Sequence, residues 1–332
     1  MAGITSRLET WLNARWYGPR LPGPLLRGAA RCYGVLVERR RRSWAGRAWA
    51  APVPVVVVGN ISVGGTGKTP LTAWLARELV ATGVQVGIVS RGYGRQRGDG
   101  PLEVTSATPV RQAGDEPLLL ARETGCPVVV ARDRPAACRH LLDTRAVDLI
   151  LSDDGLQHYP LARQMEIVVL DAERGLGNGY ILPAGPLREP PERLALADVV
   201  VWNGGVPAGE RGLEMTLECR EAVRLRDGYR VPLQQFAGQR VRAVAGIGHP
   251  ERFFRQLSAR GIEWDAIRPG DHGHLEPAML GTGTEAVLMT DKDAVKLTDS
   301  EDPRLWRVPV RAHLPEGPSL LKQIQELVER PS

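Results

Sequence analysis

A chain of 332 residues, 43% hydrophobic and 24% charged, is long enough for two packed cores and too apolar for wholesale disorder. The net charge of +5 is uneven: residues 1–50 hold ten Arg, no Lys and two acids, so that segment is +8 and the rest of the chain −3. A basic end on a mildly acidic body predicts an anionic surface as partner, while four scattered cysteines without a CxxC pair read as reduced thiols of a cytosolic protein.

No run of 18 apolar residues occurs, so no conventional transmembrane helix is expected. Arg15, Arg20, Arg27 and Arg31 interrupt every apolar core that a secretory signal would need. The first 50 residues divide at Pro19–Pro24. Leu8, Trp11, Leu12 and Trp16 precede the break; Leu25, Leu26, Ala29, Ala30, Tyr33, Leu36 and Val37 follow it at helical spacing, with Arg39 to Arg42 behind them. Trp and Leu on one face with Arg beside them predict a helix lying in a bilayer interface, against the alternative of a helix docked on the protein's own core.

The β-branched run Val53 to Val58 reads as a buried parallel strand ending at Gly59. A Gly-rich loop follows, then a helix through Leu71, Trp74, Leu75, Leu79 and Val80, closed by Gly83, and a strand over Val84–Val89. This strand–loop–helix–strand unit opens a doubly wound sheet. Further strands are predicted at Pro127–Ala131, Val147–Ser152, Ile167–Leu170 and Val199–Trp202, with helices over Pro117–Glu123 and Pro135–Leu142. Residues 203–240 lose the rhythm. A second unit starts near Val241, with strands at Val241–Ala245, Trp264–Ile267, Ala286–Met289 and Val308–Val310, a helix over Glu251–Ala259 and a last helix over Ser319–Arg330. The expected architecture is α/β: a P-loop-containing, doubly wound, mostly parallel sheet, a second, smaller α/β domain and an N-terminal amphipathic helix. The expected divisions are 1–50 (interfacial segment), 51–205 (nucleotide domain), 206–240 (strand linker) and 241–332 (smaller domain).

The sharpest local signal is the loop from Gly59 to Pro70. Gly64, Gly65, Thr66, Gly67, Lys68 and Thr69 stand between a strand and a helix, where backbone N–H groups cradle phosphate, Lys68 reaches the terminal phosphates and the Thr69 hydroxyl ligates Mg²⁺. The pattern GxxxxGK[ST] asks for Gly where Ser62 stands. Asp153 and Asp154 end a predicted strand, on the edge where P-loop enzymes complete the metal site. Asp171 ends the next strand and is open between site and turn. Asp115 reads by itself as a helix cap, and Asp271-His272-Gly273-His274 as a polar turn, although a hydroxyl acceptor needs a proton acceptor somewhere.

In order along the chain, these motifs resemble the tetraacyldisaccharide 4′-kinase (lipid A 4′-kinase) family. They are the loop from Gly59 to Pro70 with its Ser, Ser90 to Arg95, Gly114 to Pro117, Asp153 to His158, Leu182 to Glu189, Gly246 to Gly248 with Pro250, Asp271-His272, and Asp291 to Lys296. The resemblance implies ATP- and Mg²⁺-dependent phosphorylation of the 4′-hydroxyl of a lipid A disaccharide 1-phosphate at the cytoplasmic face of the bacterial inner membrane. It implies Lys68 and Thr69 as phosphate and Mg²⁺ contacts, Asp153 and Asp154 at the metal, Asp115 as catalytic base with His272 as its partner, and Arg188, Glu189 and His158 as substrate or active-site positions. Around the Asp-His loop, Pro269-Gly270 and Gly273 depart from the family's aromatic neighbours. No nucleic acid and no obligate protein partner are expected. A membrane-associated partition-type nucleotide switch is the alternative, but such proteins carry a second Lys near the loop's start, where Asn60 and Ser62 stand here.

Overall fold

The computed structural model describes residues 11–329 apart from 94, 96–97, 99, 270–274, 276, 284 and 298–299. Two sheets organise them. The larger has nine strands in the order β15-β8-β7-β6-β1-β5-β2-β4-β3. These are β1 (Val55–Gly59), β2 (Val86–Ser90), β3 (Leu102–Val104), β4 (Val128–Val130), β5 (Leu149–Asp153), β6 (Met165–Asp171), β7 (Val199–Asn203), β8 (Leu213–Glu218) and β15 (Arg311–His313). All its pairings are parallel except β3 with β4 and β15 with β8. The smaller sheet has the order β10-β9-β14-β13-β11-β12. It comprises β9 (Glu221–Arg224), β10 (Arg230–Pro232), β11 (Arg240–Val244), β12 (Glu263–Ile267), β13 (Val287–Thr290) and β14 (Leu305–Val308).

Burial explains the central strands. Val55 to Val58 are fully buried, and so are Leu149 to Leu151 and Ile167 to Leu170, because helices cover both faces of a doubly wound sheet. Among the helices are α1 (Pro24–Ser43), α2 (Lys68–Ala81), α3 (Asp115–Thr124), α4 (Arg134–Thr144), α5 (Pro250–Ser258), the short α6 (Asp291–Ala294) and α7 (Gly317–Glu329). Leu71, Leu75 and Leu79 of α2 and Leu320 and Ile324 of α7 share one core. The C-terminal helix therefore packs on the larger sheet.

That placement differs from the sequence-based division. Of the stretch expected to be a linker, β8 joins the larger sheet and β9 and β10 the smaller one, while residues 311–329 return to the larger unit. The strand expected over Val308–Val310 is instead β14, ending at Val308 before Pro309, followed by β15. Pro309 has no N–H to donate, so the ladder breaks there.

Helix α1 lies on the body by a narrow face. Only Ala30 is fully buried, with Leu26, Tyr33, Gly34, Val37 and Glu38 partly covered. Leu25 is 90% exposed and Leu36 65% exposed, beside the exposed Arg27, Arg31 and Arg39. The segment before it is anchored at Trp16, whose Nε1 donates to Pro183 O at 3.2 Å and whose carbonyl accepts from Asn178 N at 2.8 Å. No helix among the described residues is long and apolar enough to cross a membrane.

In the smaller unit, Asp293 is fully buried. Its carboxylate accepts from Gly246 N at 2.8 Å and Thr290 Oγ1 at 2.7 Å and pairs with Lys296 at 3.2 Å, tying the end of β11 to the end of β13. Removing one partner of a buried pair strands the other charge. Asp293→Ala is expected to cost about 3–5 kcal/mol of unfolding free energy in urea titrations; an unchanged midpoint would contradict that role.

Candidate functional site

Strands β1, β5, β6 and β7 all end at one edge of the larger sheet, at Gly59, Asp153, Asp171 and Asn203. The smaller sheet faces that edge with the loop after β11 and with α6. Between them lies a cleft of about 510 Å³, lined on one side by Gly64–Thr69, Asp154 and Arg188 and on the other by Gly248, Asp291 and Lys292.

The phosphate loop is held from three directions. Gly67 adopts φ 100° and caps α2; a side chain there would meet Asn203 Nδ2 at 2.9 Å and Met215 Cε at 3.0 Å. Asn203 Nδ2 donates to Thr66 O at 3.0 Å. The fully buried Asn60 amide reaches Gly64 O and Thr66 Oγ1, each at 3.4 Å. On the entering side, Val63 N donates to Pro186 O at 2.8 Å and Arg188 N to Ile61 O at 2.6 Å, so residues 61–63 run beside 186–188 as a bridge. Ser62 lies in this bridge. Its φ is not positive, so the position does not require glycine.

Lys68 opens α2, and its Nζ stands 3.5 Å from Asp154 Oδ1. Thr69 Oγ1 lies 3.4 Å from Asp153 Oδ2, and Thr72 Oγ1 donates to Asp153 Oδ1 at 3.0 Å. Asp153 is fully buried; burial pushes its carboxyl well up, the charges of Glu116 and Asp154 push it further, and Lys68 opposes them. Asp154 differs. Burial would raise it too, but Lys68, Arg188 and Arg134 together hold it below the usual range. Its backbone has φ 50°, and Gly155 packs behind it against Ser152 and Val57.

These residues fit Mg²⁺. The donor set is hard oxygen: two carboxylates and a hydroxyl at a helix N-terminus. Asp154 Oδ1 is buried with only the longer contacts to Lys68 and Arg188, at 3.5 and 3.6 Å, and the Asp153 carboxylate is costly to bury unless a cation faces it.

The other sequence candidates are distributed unevenly. Arg188 lines the cleft, 3.6 Å from Asp154 Oδ1. Glu189 turns away from it: 1% exposed, it accepts from Tyr159 OH and Gln157 Nε2, both at 2.7 Å, and pairs with Arg193 at 3.3 Å. His158 also sits behind the site, its Nε2 accepting from Arg134 N at 3.2 Å at the start of α4. Asp115 is the first residue of α3, next to the cleft-lining Glu116. Asp271 and His272 lie outside the described residues. Asp171 caps its own turn, accepting from Glu173 N and Arg174 N at 3.0 and 3.3 Å, and also pairs with Arg252 of α5 at 3.2 Å.

Three neighbours escaped the sequence reading. Arg134, 2% exposed, donates to the carbonyls of Asp153 at 3.1 Å and Asp154 at 3.3 Å, fixing the backbone that aims both carboxylates. Glu116 pairs across the cleft with Lys292 at 3.6 Å. Asn203 ends β7 as Asp153 ends β5, and that shared position at a strand end was the signal available for it.

The family model described as tetraacyldisaccharide-1-P 4′-kinase matches residues 23–329. A tetraacyldisaccharide 4′-kinase of Chromobacterium violaceum is 48% identical over 321 residues, covering 91% of this chain and 94% of that protein. One from Pseudomonas putida is 44% identical over 329 residues, covering 96% and 98%. Among solved structures, LpxK from Aquifex aeolicus in complex with ATP superposes with a TM-score of 0.76 at 28% identity, covering 91% of this chain and 98% of that one.

Burial depresses the His158 imidazole to about 3, with the charges of Arg134 and Arg163 adding to the effect. The unfolded chain protonates this group near 6.5, so it binds more protons than the folded chain between those values. Stability from this group is therefore present above about pH 6.5 and falls as pH drops toward 3. His158→Gln keeps an acceptor for Arg134 N and removes the titration. Urea midpoints of wild type should fall more steeply than those of the variant across that window; parallel profiles would show that the imidazole is not held neutral.

Proposed function

The chain belongs to the tetraacyldisaccharide 4′-kinase family, and on that premise we propose that it transfers the γ-phosphate of ATP to the 4′-hydroxyl of a lipid A disaccharide 1-phosphate precursor. The observation that carries this reading is the cleft itself. A braced phosphate loop with Lys68, Thr69 and two buried carboxylates lies on one wall, and a second sheet supplies the opposite wall, which a nucleotide switch without an acceptor would not need.

Backbone N–H groups of Gly64 to Thr69 and the Lys68 ammonium bind the β- and γ-phosphates. Thr69, Asp153 and Asp154 are the residues that would hold Mg²⁺, which when bound neutralises phosphate charge. Arg134 keeps both carboxylates in place from below. Arg188 adds positive charge beside Asp154 and faces the cleft. Asp115, one residue before the cleft-lining Glu116, is our assignment for the base that takes the hydroxyl proton, with His272 as its partner, supported by their motifs. Glu189 and His158 serve the site by holding the segments around 157–159 and the start of α4.

With γ-labelled ATP, Mg²⁺ and the disaccharide 1-phosphate in detergent micelles, the wild-type protein should yield labelled lipid and Lys68→Ala almost none. In the same assay Asp115→Ala should lose roughly 10²–10⁴-fold in kcat. ATP hydrolysis without lipid labelling would favour the nucleotide-switch alternative, and an effect of Asp115→Ala confined to the KM for ATP would remove it as the base.

The membrane is the second element of the reading: the N-terminal segment docks on the cytoplasmic face of the inner membrane. Support comes from the outer face of α1, where exposed Leu25, Val35 and Leu36 adjoin a row of Arg that the body leaves uncovered. The full chain should co-sediment with vesicles containing anionic lipid, and a Leu25→Asp/Leu36→Asp variant should lose at least about fivefold in binding, given the apolar area withdrawn. Equal sedimentation of both would sink the docking face.

A further inference from the structure

The seam between the two sheets gathers three arginines, two acids and a histidine. Arg252 Nη2 is 3.2 Å from Asp171 Oδ2, and Arg255 Nη2 is 2.5 Å from Glu173 Oε1. His249 faces both acids at 3.6 and 3.5 Å. Each acid thus has its own arginine. The third, Arg174, has no carboxylate within ion-pair distance among the described residues.

Arg174 is nevertheless held firmly. Its backbone N–H donates to Asp171 Oδ1, and Gly175 N donates to Asp171 O at 2.7 Å, so the turn after β6 fixes where the side chain starts. Its Nη2 donates to Gly248 O of the smaller unit at 2.9 Å, and its guanidinium lies 5.2 Å from the Tyr17 ring centre. The Tyr17 hydroxyl also lies within the reach of the guanidinium, and the remaining arm, Nη1, has no carbonyl or carboxylate partner among the described residues. It stands 3.3 Å from the point a Cβ on Gly64 would occupy. Gly64, at φ 109°, lies in the stretch of loop that presents its backbone to the phosphates. A cation with no acid of its own, held by Gly248 O and by Tyr17, with Nη1 beside Gly64 of the phosphate loop, is arranged for an anion that arrives with the substrate.

We propose that Arg174 is a further catalytic residue of the kinase reaction, contacting the γ-phosphate of ATP and stabilising it during transfer. This rests on the kinase reading above. In that step the acceptor hydroxyl oxygen forms a bond to the γ-phosphorus as the bond to the β–γ bridging oxygen breaks. The bridging oxygen leaves with the electron pair on ADP, and the hydroxyl proton passes to a carboxylate. The equatorial oxygens carry the spread negative charge, and Nη1 supplies donors to it. Because Nη2 is bonded to Gly248, the same side chain is positioned only while the smaller unit is seated against the larger one.

The test compares wild type, Arg174→Gln and Arg174→Lys. The Gln variant keeps a donor for Gly248 O without the charge, and the Lys variant keeps the charge without the fork. Three quantities are read: kcat for labelled lipid, the ratio of ATP to ADP affinity, and the melting temperature. Arg174→Gln should lose roughly 10²–10³-fold in kcat and lose affinity for ATP while keeping that for ADP; Arg174→Lys should fall between. A kcat within threefold of wild type in both variants overturns the proposal. So does a loss of kcat matched by equal losses of ADP affinity or melting temperature, since Arg174 would then only hold the seam. If the wild-type protein labels no lipid, the kinase reading has failed, and an unchanged ATP-to-ADP ratio in Arg174→Gln overturns this proposal independently.

Discussion

Two adjacent carboxylates, one fully buried, are the constraint around which this molecule is built. Burying Asp153 beside Asp154 is expensive, because each charge disfavours the other and water is excluded. The fold answers with cations and dipoles from separate segments: Lys68 at the start of α2, Arg188 beyond the 186–188 bridge, and Arg134 beneath, bonded to their backbone carbonyls. None of these alone balances the pair. The phosphate loop, the bridge and the start of α4 must therefore assemble together, and a displacement of any one exposes the cost of the others.

The strand order makes that assembly short-ranged. Strand β1 lies between β5 and β6, with Val58 opposite Asp153 and Gly59 opposite Val168. The glycine-rich loop and the carboxylates proposed to hold Mg²⁺ thus leave neighbouring strands at the same height. Gly59 allows this closeness, since a Cβ there would stand 2.5 Å from Leu156 Cβ. The smaller sheet adds reach. Its Asp293 ties Gly246 into place, and the loop that follows carries Gly248 and His249 to the seam.

How much of this was legible depended on whether a residue's role follows from its position along a strand or from its neighbours in space. Lys68, Thr69, Asp153 and Asp154 follow from strand ends and a glycine pattern, and the structure brings them together. The cores of β1, β5 and β6 were legible because strands buried on both faces are uninterrupted apolar runs. Strands β3, β10 and β15 have three residues each, and β9 has four, with polar members, so no periodicity marked them. Their pairing moved residues 221–232 and 311–329 between units. Arg134 resisted for another reason: in sequence an Arg near a helix start reads as solvated, and only the carbonyls of Asp153 and Asp154 above it account for its burial. Glu189 and His158 stand within motifs and near the cleft, yet their hydrogen bonds point inward, which spacing alone does not reveal.

The N-terminal segment joins the same mechanical chain. Trp16 is bonded to Asn178 and Pro183, the loop entered from β6, and the next few residues, 186–188, brace the phosphate loop. Tyr17 stacks on Arg174, whose other contacts are the smaller unit and Gly64. The segment for which we propose a membrane interface is thus attached, through one loop, to the residues that brace the loop of Gly64 to Thr69. An acceptor with acyl chains would have its apolar part near α1 and its sugar hydroxyl in the cleft. On the docking proposed above, seating the segment and presenting the hydroxyl become one geometric requirement, linked through the loop between β6 and Arg188.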